Sequence, residues 1–189
     1  SYRTITIDDD NHRIADINYQ LLDASKEGDL CTVKYLINNK ADIHYYDDYA
    51  IQMACQHGHL KVAKYLYGKD ANIHVDNGFC ISIASLHGYI KIVKYLYNKG
   101  VNIHTLDDKP LRNACLNGHI KIVKYLIEKG ANVNADDGVN SPLLSASQGG
   151  SIEVVKYLIE TGVNINNKAF IIACQFGRLE LVKYYTEFG

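Results

Sequence analysis

His44, His74 and His104 stand one 30-residue step apart, and such a ladder could supply metal ligands. A shared zinc needs each nitrogen about 2.0–2.1 Å away. Equivalent positions on packed helices lie roughly 8–10 Å apart and point in parallel. Asn134 and Asn166 then fill the same slot, so a structural hydrogen-bonding role is expected and no metal site. Asp47-Asp48, Asp76, Asp107-Asp108 and Asp136-Asp137 form a second series that could act as acid and base or hold calcium. The calcium-loop spacing with its distal Glu is missing, and consecutive Asp residues in turns satisfy nearby backbone N–H groups. Turn chemistry is the expectation, with some attraction for a basic partner.

Lys61/Lys64, Lys91/Lys94 and Lys121/Lys124 give a positive stripe on one helix face, the chemistry of a polyanion contact. Against it, 20 Lys+Arg balance 21 Asp+Glu, a formal net charge of −1. That balance gives no bulk bias toward nucleic acid or membrane. No Ser/His/Asp or Cys/His nucleophile pattern and no phosphate-cradling glycine loop occurs. His57-Gly58-His59 is explained by a tight connection that needs its glycine. No catalytic residue and no cofactor is assigned.

The elements that must carry these residues repeat. A glycine recurs at Gly28, Gly58, Gly88, Gly118, Gly150 and Gly177, in steps of 30, 30, 30, 32 and 27 residues. Lys-Tyr-Leu follows six residues later at Lys34, Lys64, Lys94, Lys124 and Lys156, and Lys183-Tyr184-Tyr185 closes the series. Such a period predicts a stacked solenoid, because one short unit cannot bury its apolar face alone. Each unit reads as helix, glycine, helix, hairpin: in the second, Ala50 to Gln56 and then Leu60 to Tyr67. The recurrent glycine suits a tight helix–helix connection. Gly100, Gly130 and Gly162 follow the outer helices where a left-handed residue is favoured. Lys40 and Asp70 stand there instead, at some expected cost, greater for Lys. Pro110 and Pro142 fall in the first turn of inner helices. Cys55, Cys115 and Cys174 share a slot after a small Ala and are expected buried.

Ala-x-x-x-Gly-His-[LI]-x-[VI]-[VA]-Lys-Tyr-Leu followed by Gly-[AV]-Asn-[VI]-Asn/His resembles the second half of an ankyrin repeat. Tyr in Lys-Tyr-Leu, Asp-Asp in the turns and the shortened units look most like the ankyrin arrays of large DNA viruses of amoebae. The resemblance implies an all-α solenoid of about six helix-turn-helix units with short β-hairpin-like connections. The expected units lie near 19–46, 47–76, 77–106, 107–136, 137–166 and 167–189, after an N-terminal cap segment over 1–18. Ser141-Pro142-Leu143-Leu144 comes nearest to the family's Thr-Pro-Leu-His, and the last connection, Asn166-Asn167-Lys168, is barely long enough to turn. Leu126 with Asn134, and Leu158 with Asn166, resemble sites modified by an asparaginyl hydroxylase.

In the cap, Thr4-Ile5-Thr6-Ile7 alternates like a short strand, Asp8-Asp9-Asp10-Asn11 reads as a turn, and Ile14, Ile17, Leu21 and Ala24 fall at helical spacing. Five Cys in a chain without secretory features point to a reducing intracellular compartment, with the cytoplasm expected, that of a host cell if the chain is viral. No apolar run approaches the roughly 18 residues of a membrane span. The chain opens on Ser1, so residues upstream are an open expectation, as is a further domain.

What the resemblance implies about function is a scaffold or adaptor that binds a partner protein on its concave face. By the repeat alignment, exposed inner-helix positions include Met53, Gln56, His57, Ile83, Leu86, His87, Asn113, Leu116, Asn117, Ile172 and Phe176, with Ser145 and Gly149 in the same series. Tyr45, Tyr46, Tyr49 and Phe79 are expected on the adjoining hairpins. Aromatic anchors of this kind dominate affinity at interfaces. The alternative is a nucleic-acid or acidic-surface binder using the Lys stripe. Tyr184, Tyr185 and Phe188 on the last outer helix suggest end-to-end self-association.

Overall fold

The computed structural model describes the backbone of residues 7–135 and 141–188, and the side chains of 16–135 and 141–187. Among these residues the structure is all helical, with no strand. The chain divides into two compact units, Ser1–Val75 and Asp76–Gly189.

The first unit holds α1 (Ile7–Glu27), α2 (Leu30–Asn38), α3 (Tyr45–Gln56) and α4 (Leu60–Tyr67). Helix α1 packs on α2 and α3, and α4 packs on α3 and α2. In α4 the 3.6-residue period sends Val62, Ala63 and Leu66 inward and leaves Lys61 and Lys64 in water. Leu21, Val33, Leu36 and Ile51 complete that core. Each such side chain contributes about 1.5–3 kcal/mol on full burial. The expected turn over Asp8–Asn11 is helix instead, since α1 already begins at Ile7. Most of the expected strand, Thr4 to Thr6, lies outside the described residues.

The second unit contains α5 (Phe79–Leu86), α6 (Ile90–Asn98), α7 (Thr105–Leu116), α8 (Ile120–Glu128), α9 (Pro142–Gly149), α10 (Ile152–Glu160), α11 (Asn167–Gln175) and α12 (Leu179–Phe188). Helices α5, α7, α9 and α11 pack in sequence, while α6, α8 and α10 form a second row outside them. Pro142 opens α9 behind the Ser141 cap, whose hydroxyl accepts from the Leu144 N–H at 3.3 Å.

The outer helices end as the sequence predicts. Gly100, Gly130 and Gly162 are left-handed, and so are Lys40 and Asp70, both at φ 70°. A side chain at such a φ costs about 1–2 kcal/mol. Lys40→Gly is therefore expected to raise stability by about 1 kcal/mol, measured by urea denaturation. An unchanged midpoint would remove this account of the position.

Between successive repeats the β-hairpin expectation needs correction. Tyr46, Asp47 and Asp48 take φ 50°, 53° and 60°, and Leu106, Asp107 and Asp108 take 47°, 54° and 55°. Each connection is thus one left-handed turn leading into the inner helix, without a ladder. Asp76, Asn77 and Gly78 repeat it around a short 3₁₀ turn. The last connection has no such turn, and extended Asn166 caps α11 directly by accepting from the Ala169 N–H at 2.9 Å.

The slot after the small Ala reads Ser25, Cys55, Ser85, Cys115, Ser147, Cys174 along the chain. The first five are fully buried, and burial pushes the Cys115 thiol far above its usual range. Cys174 is the exception: it is exposed, because no helix among the described residues covers that side of α11. Ser147 Oγ donates to the Leu143 carbonyl at 2.7 Å and pairs with the Tyr185 hydroxyl at 2.7 Å. Tyr185 is only 3 % exposed, so it belongs to the core and not to an end-to-end contact. Burial lifts its phenol above the ordinary value, and the Ser147 hydrogen bond partly opposes that rise. A raised folded value favours the protonated form. Its contribution is therefore complete below about pH 10 and lost as pH rises beyond it. Tyr185→Phe is expected to cost about 1 kcal/mol at neutral pH and to reduce the alkaline loss, read from denaturation at two pH values.

Candidate functional site

The left-handed turns are stabilised from inside, which is what lets their tips face outward. His44 Nδ1–H donates to Asp48 Oδ1 at 2.9 Å, and the same oxygen accepts the Asn72 N–H at 3.0 Å. Gln52 Nε2–H donates to the Asp47 carbonyl at 2.9 Å. In the second unit His104 Nδ1–H and the Asn132 N–H meet Asp108 Oδ1 at 3.0 and 3.2 Å, and Arg112 Nη2–H reaches the Leu106 carbonyl at 2.8 Å. His44 and His104 are thus bound within turns. No group of three His, Cys, Asp or Glu suited to a metal occurs among the described residues. Asp136 and Asp137 lie outside them.

In the first unit the turn throws Tyr46 outward, 61 % exposed, and Tyr49 is 39 % exposed. Tyr45 packs edge-on against Tyr19 of α1, ring centroids 5.6 Å apart, and Tyr45 and Tyr46 lie at 4.5 Å. The Tyr19 hydroxyl, 3.4 Å from that of Tyr46, raises the Tyr46 phenol above its usual value. Tyr19, half-buried Tyr45 and Tyr46 therefore cluster at one corner of turn and helix, and exposed Tyr49 follows three residues later in α3. Tyr19 was missed from sequence, though it stands 30 residues before Tyr49 in the same register.

In the second unit a groove of about 450 Å³ brings Asn113 and Leu116 together with Leu106, Asp107, Lys109, Arg112, Ser145 and Gln148. Leu106 is the register equivalent of Tyr46, 60 residues on, and that repeat was the available signal for it. Asn113 also has a structural task, since its Nδ2–H donates to the Ser82 carbonyl at 2.9 Å. Leu116 and Asn117 border a second groove with Phe176, which is half exposed.

The other expected positions are scattered. Met53 is buried at 8 %, so it fills core instead of facing a partner. Gln56, His57, Phe79, Ile83, Leu86 and Ile172 are half-buried, and His87 is exposed. His57 Nδ1–H is held by the Met53 carbonyl at 3.0 Å. Ser145 is buried. Gly149 is not a free surface position, because a Cβ there would overlap the Leu116 carbonyl oxygen. Tyr184 is half-buried, and the Phe188 side chain lies outside the described residues.

The Lys stripe has a different structure from a free basic face. Lys34 Nζ sits 5.6 Å from the Tyr65 ring centroid. Lys94 meets Tyr125 at 5.2 Å, Lys124 meets Tyr157 at 5.2 Å, and Lys156 meets Tyr184 at 5.4 Å. The lysine of one Lys-Tyr-Leu thus lies on the tyrosine of the next, a contact of about 0.5–1 kcal/mol at exposed sites. The motif is an adhesive between successive repeats within each unit.

Helix pairs joined by a left-handed glycine, packed in register and tied by backbone-directed side chains, define a helical repeat protein. A family profile described as ankyrin repeats (3 copies) matches residues 21–107, 81–169 and 111–187, and the chain belongs to that family. Among curated proteins none matches the chain. Ankyrin repeats are generally protein–protein interaction modules without catalytic activity of their own. No helix among the described residues is long and apolar enough to cross a membrane.

Proposed function

We propose that the chain is a scaffold that docks a partner protein on the inner-helix and turn-tip surface, with the Tyr19/Tyr45/Tyr46/Tyr49 corner as its anchor in the first unit. The observation that carries this is the exposure of clustered tyrosines beside a turn whose backbone is fixed from within. Rigid aromatic surface held in advance loses little entropy on binding. The groove around Leu106, Asn113 and Leu116 offers a matching mix of apolar and polar groups in the second unit.

The polyanion alternative is weakened by the commitment of Lys34, Lys94, Lys124 and Lys156 to tyrosine rings. Of the six stripe lysines, Lys94 and Lys124 are so engaged, and Lys61, Lys64, Lys91 and Lys121 are exposed. The buried free thiols Cys80 and Cys115 support a reducing intracellular setting. The short step and the Lys-Tyr-Leu motif support a place among viral ankyrin arrays.

The test is affinity capture with wild type, a Tyr46→Ala/Tyr49→Ala variant and a Lys61→Ala/Lys91→Ala/Lys121→Ala variant. The tyrosine variant is expected to lose about tenfold or more in affinity for the captured protein, and the lysine variant little. The reverse pattern, with steep loss of binding in salt, would support the polyanion reading.

A further inference from the structure

We propose that the tyrosine corner of the first unit receives an arginine-bearing segment of the partner protein, a reading that rests on the docking role given to that corner above. The guanidinium lies on the Tyr19 and Tyr46 rings, and the carboxylates of Asp16, Asp23 and Asp47 balance its charge. The two sides of this unit differ in charge. Among the described side chains of inner helices α1 and α3, Asp16, Asp23, Glu27 and Asp47 are exposed carboxylates, and Lys26 in the last turn of α1 is the one Lys or Arg. Outer helices α2 and α4 carry exposed Lys34, Lys61 and Lys64 and no Asp or Glu. The inner helices of the second unit do not share this acidity: α5 and α9 are uncharged, α11 carries Lys168, and α7 sets Lys109 and Arg112 against Asp107 and Asp108.

Helix geometry brings the carboxylates to the rings. Asp16, Tyr19 and Asp23 fall at i, i+3 and i+7, one stripe of α1, and each is exposed. Asp47 is exposed and follows Tyr46 directly, its carbonyl held by Gln52 Nε2–H at 2.9 Å. Asp16 accepts from Gln20 Nε2–H at 3.1 Å, and a carboxylate keeps lone pairs for further donors. Tyr45 packs against both rings, 5.6 Å from Tyr19 and 4.5 Å from Tyr46. The Tyr19 and Tyr46 rings lie 6.3 Å apart at an inclination of 57°, with half or more of each residue open to solvent. Tyrosine rings elsewhere in the chain already take cations, as Lys34 Nζ does 5.6 Å from the Tyr65 centroid and Lys94 Nζ does 5.2 Å from that of Tyr125. Arginine fits this corner better than lysine, because its planar guanidinium stacks on a ring while its N–H edge donates to carboxylates.

The probe is the blocked peptide acetyl-Gly-Arg-Gly-Gly-Arg-Gly-amide, titrated into the chain and followed by tyrosine ring NMR shifts. Its citrulline analogue keeps the shape and removes the charge. The arginine peptide is expected to move the Tyr19 and Tyr46 signals and to bind about tenfold more tightly than the citrulline peptide, since ring and carboxylate contacts are lost together. Asp16→Asn/Asp23→Asn is expected to weaken it about fivefold, and Tyr46→Leu by about the same factor. Leu106 holds that register place at φ 47°, so the turn accepts leucine. Equal binding of the arginine and citrulline peptides, or of wild type and the Asp16→Asn/Asp23→Asn variant, overturns the proposal. A lysine peptide that binds as tightly overturns the choice of arginine. Equal peptide binding, with the captured protein still lost by Tyr46→Ala/Tyr49→Ala, removes the arginine and leaves the docking role. Arginine-selective binding, with capture indifferent to Tyr46→Ala/Tyr49→Ala, supports the guanidinium site and removes only the docking role.

Discussion

Gly149→Ala is expected to destabilise the chain by about 3 kcal/mol, a fall of roughly 10 °C in the unfolding midpoint. The sign is the informative part. Gly149 closes helix α9, and alanine in a helix interior is ordinarily favoured over glycine by about 0.8–1.0 kcal/mol. Packing reverses that preference here. A Cβ at Gly149 would overlap the Leu116 carbonyl oxygen and lie 2.8 Å from its carbon, and backbone cannot swing aside as a side chain end would. Relief requires α9 to move away from α7, which would loosen buried Leu111, Leu143 and Ala146. A stabilised or unchanged Gly149→Ala chain in thermal unfolding would mean that the helices do not approach so closely.

Asp48→Ala is expected to cost about 2 kcal/mol, and Asp48→Asn less than half of that. The buried carboxylate accepts from both His44 and the Asn72 N–H, so alanine leaves a part-buried backbone donor without its partner. It also places a residue with no local hydrogen bond at φ 60°. Asparagine keeps an acceptor and tolerates the left-handed region. The chain itself shows each half of this, because Asn18 in α1 accepts the Asp42 N–H at 2.7 Å from the same register position and Asn77 sits at φ 48°. Denaturation of both variants checks the order. Equal losses would mean that the carboxylate charge, and not its acceptor geometry, holds the turn.

Much of the fold was legible because glycine and Lys-Tyr-Leu recur at fixed offsets. The bounds expected for α4, Leu60 to Tyr67, are those observed, and the left-handed character of Lys40 and Asp70 followed from the glycines in equivalent slots. The turns were less legible. Asp-Asp signals a turn through side-chain hydrogen bonding, but three successive left-handed residues including Tyr46 or Leu106 depend on partners 24 residues away, Asn72 and Asn132. No local pattern contains that information. Tyr185 is a different kind of miss. It occupies the Leu slot of Lys-Tyr-Leu, where Leu66, Leu96, Leu126 and Leu158 are fully buried, so the register already argued against an exposed role. For the candidate site, the repeat alignment placed Tyr45, Tyr46, Tyr49 and Met53 at the surface, where Tyr46 and Tyr49 are exposed, Tyr45 is half-buried and Met53 is buried. Exposure on a face crowded by neighbouring helices is set by packing, which the alignment does not carry.

The docking claim is tested most directly by tyrosine footprinting of the chain with and without its captured partner, using mild nitration read by peptide mass spectrometry. Tyr35, 66 % exposed on outer helix α2, is the built-in control. Protection of Tyr19, Tyr46 and Tyr49 with Tyr35 unchanged is the predicted result. Protection of Tyr35 while Tyr46 and Tyr49 stay reactive would contradict it.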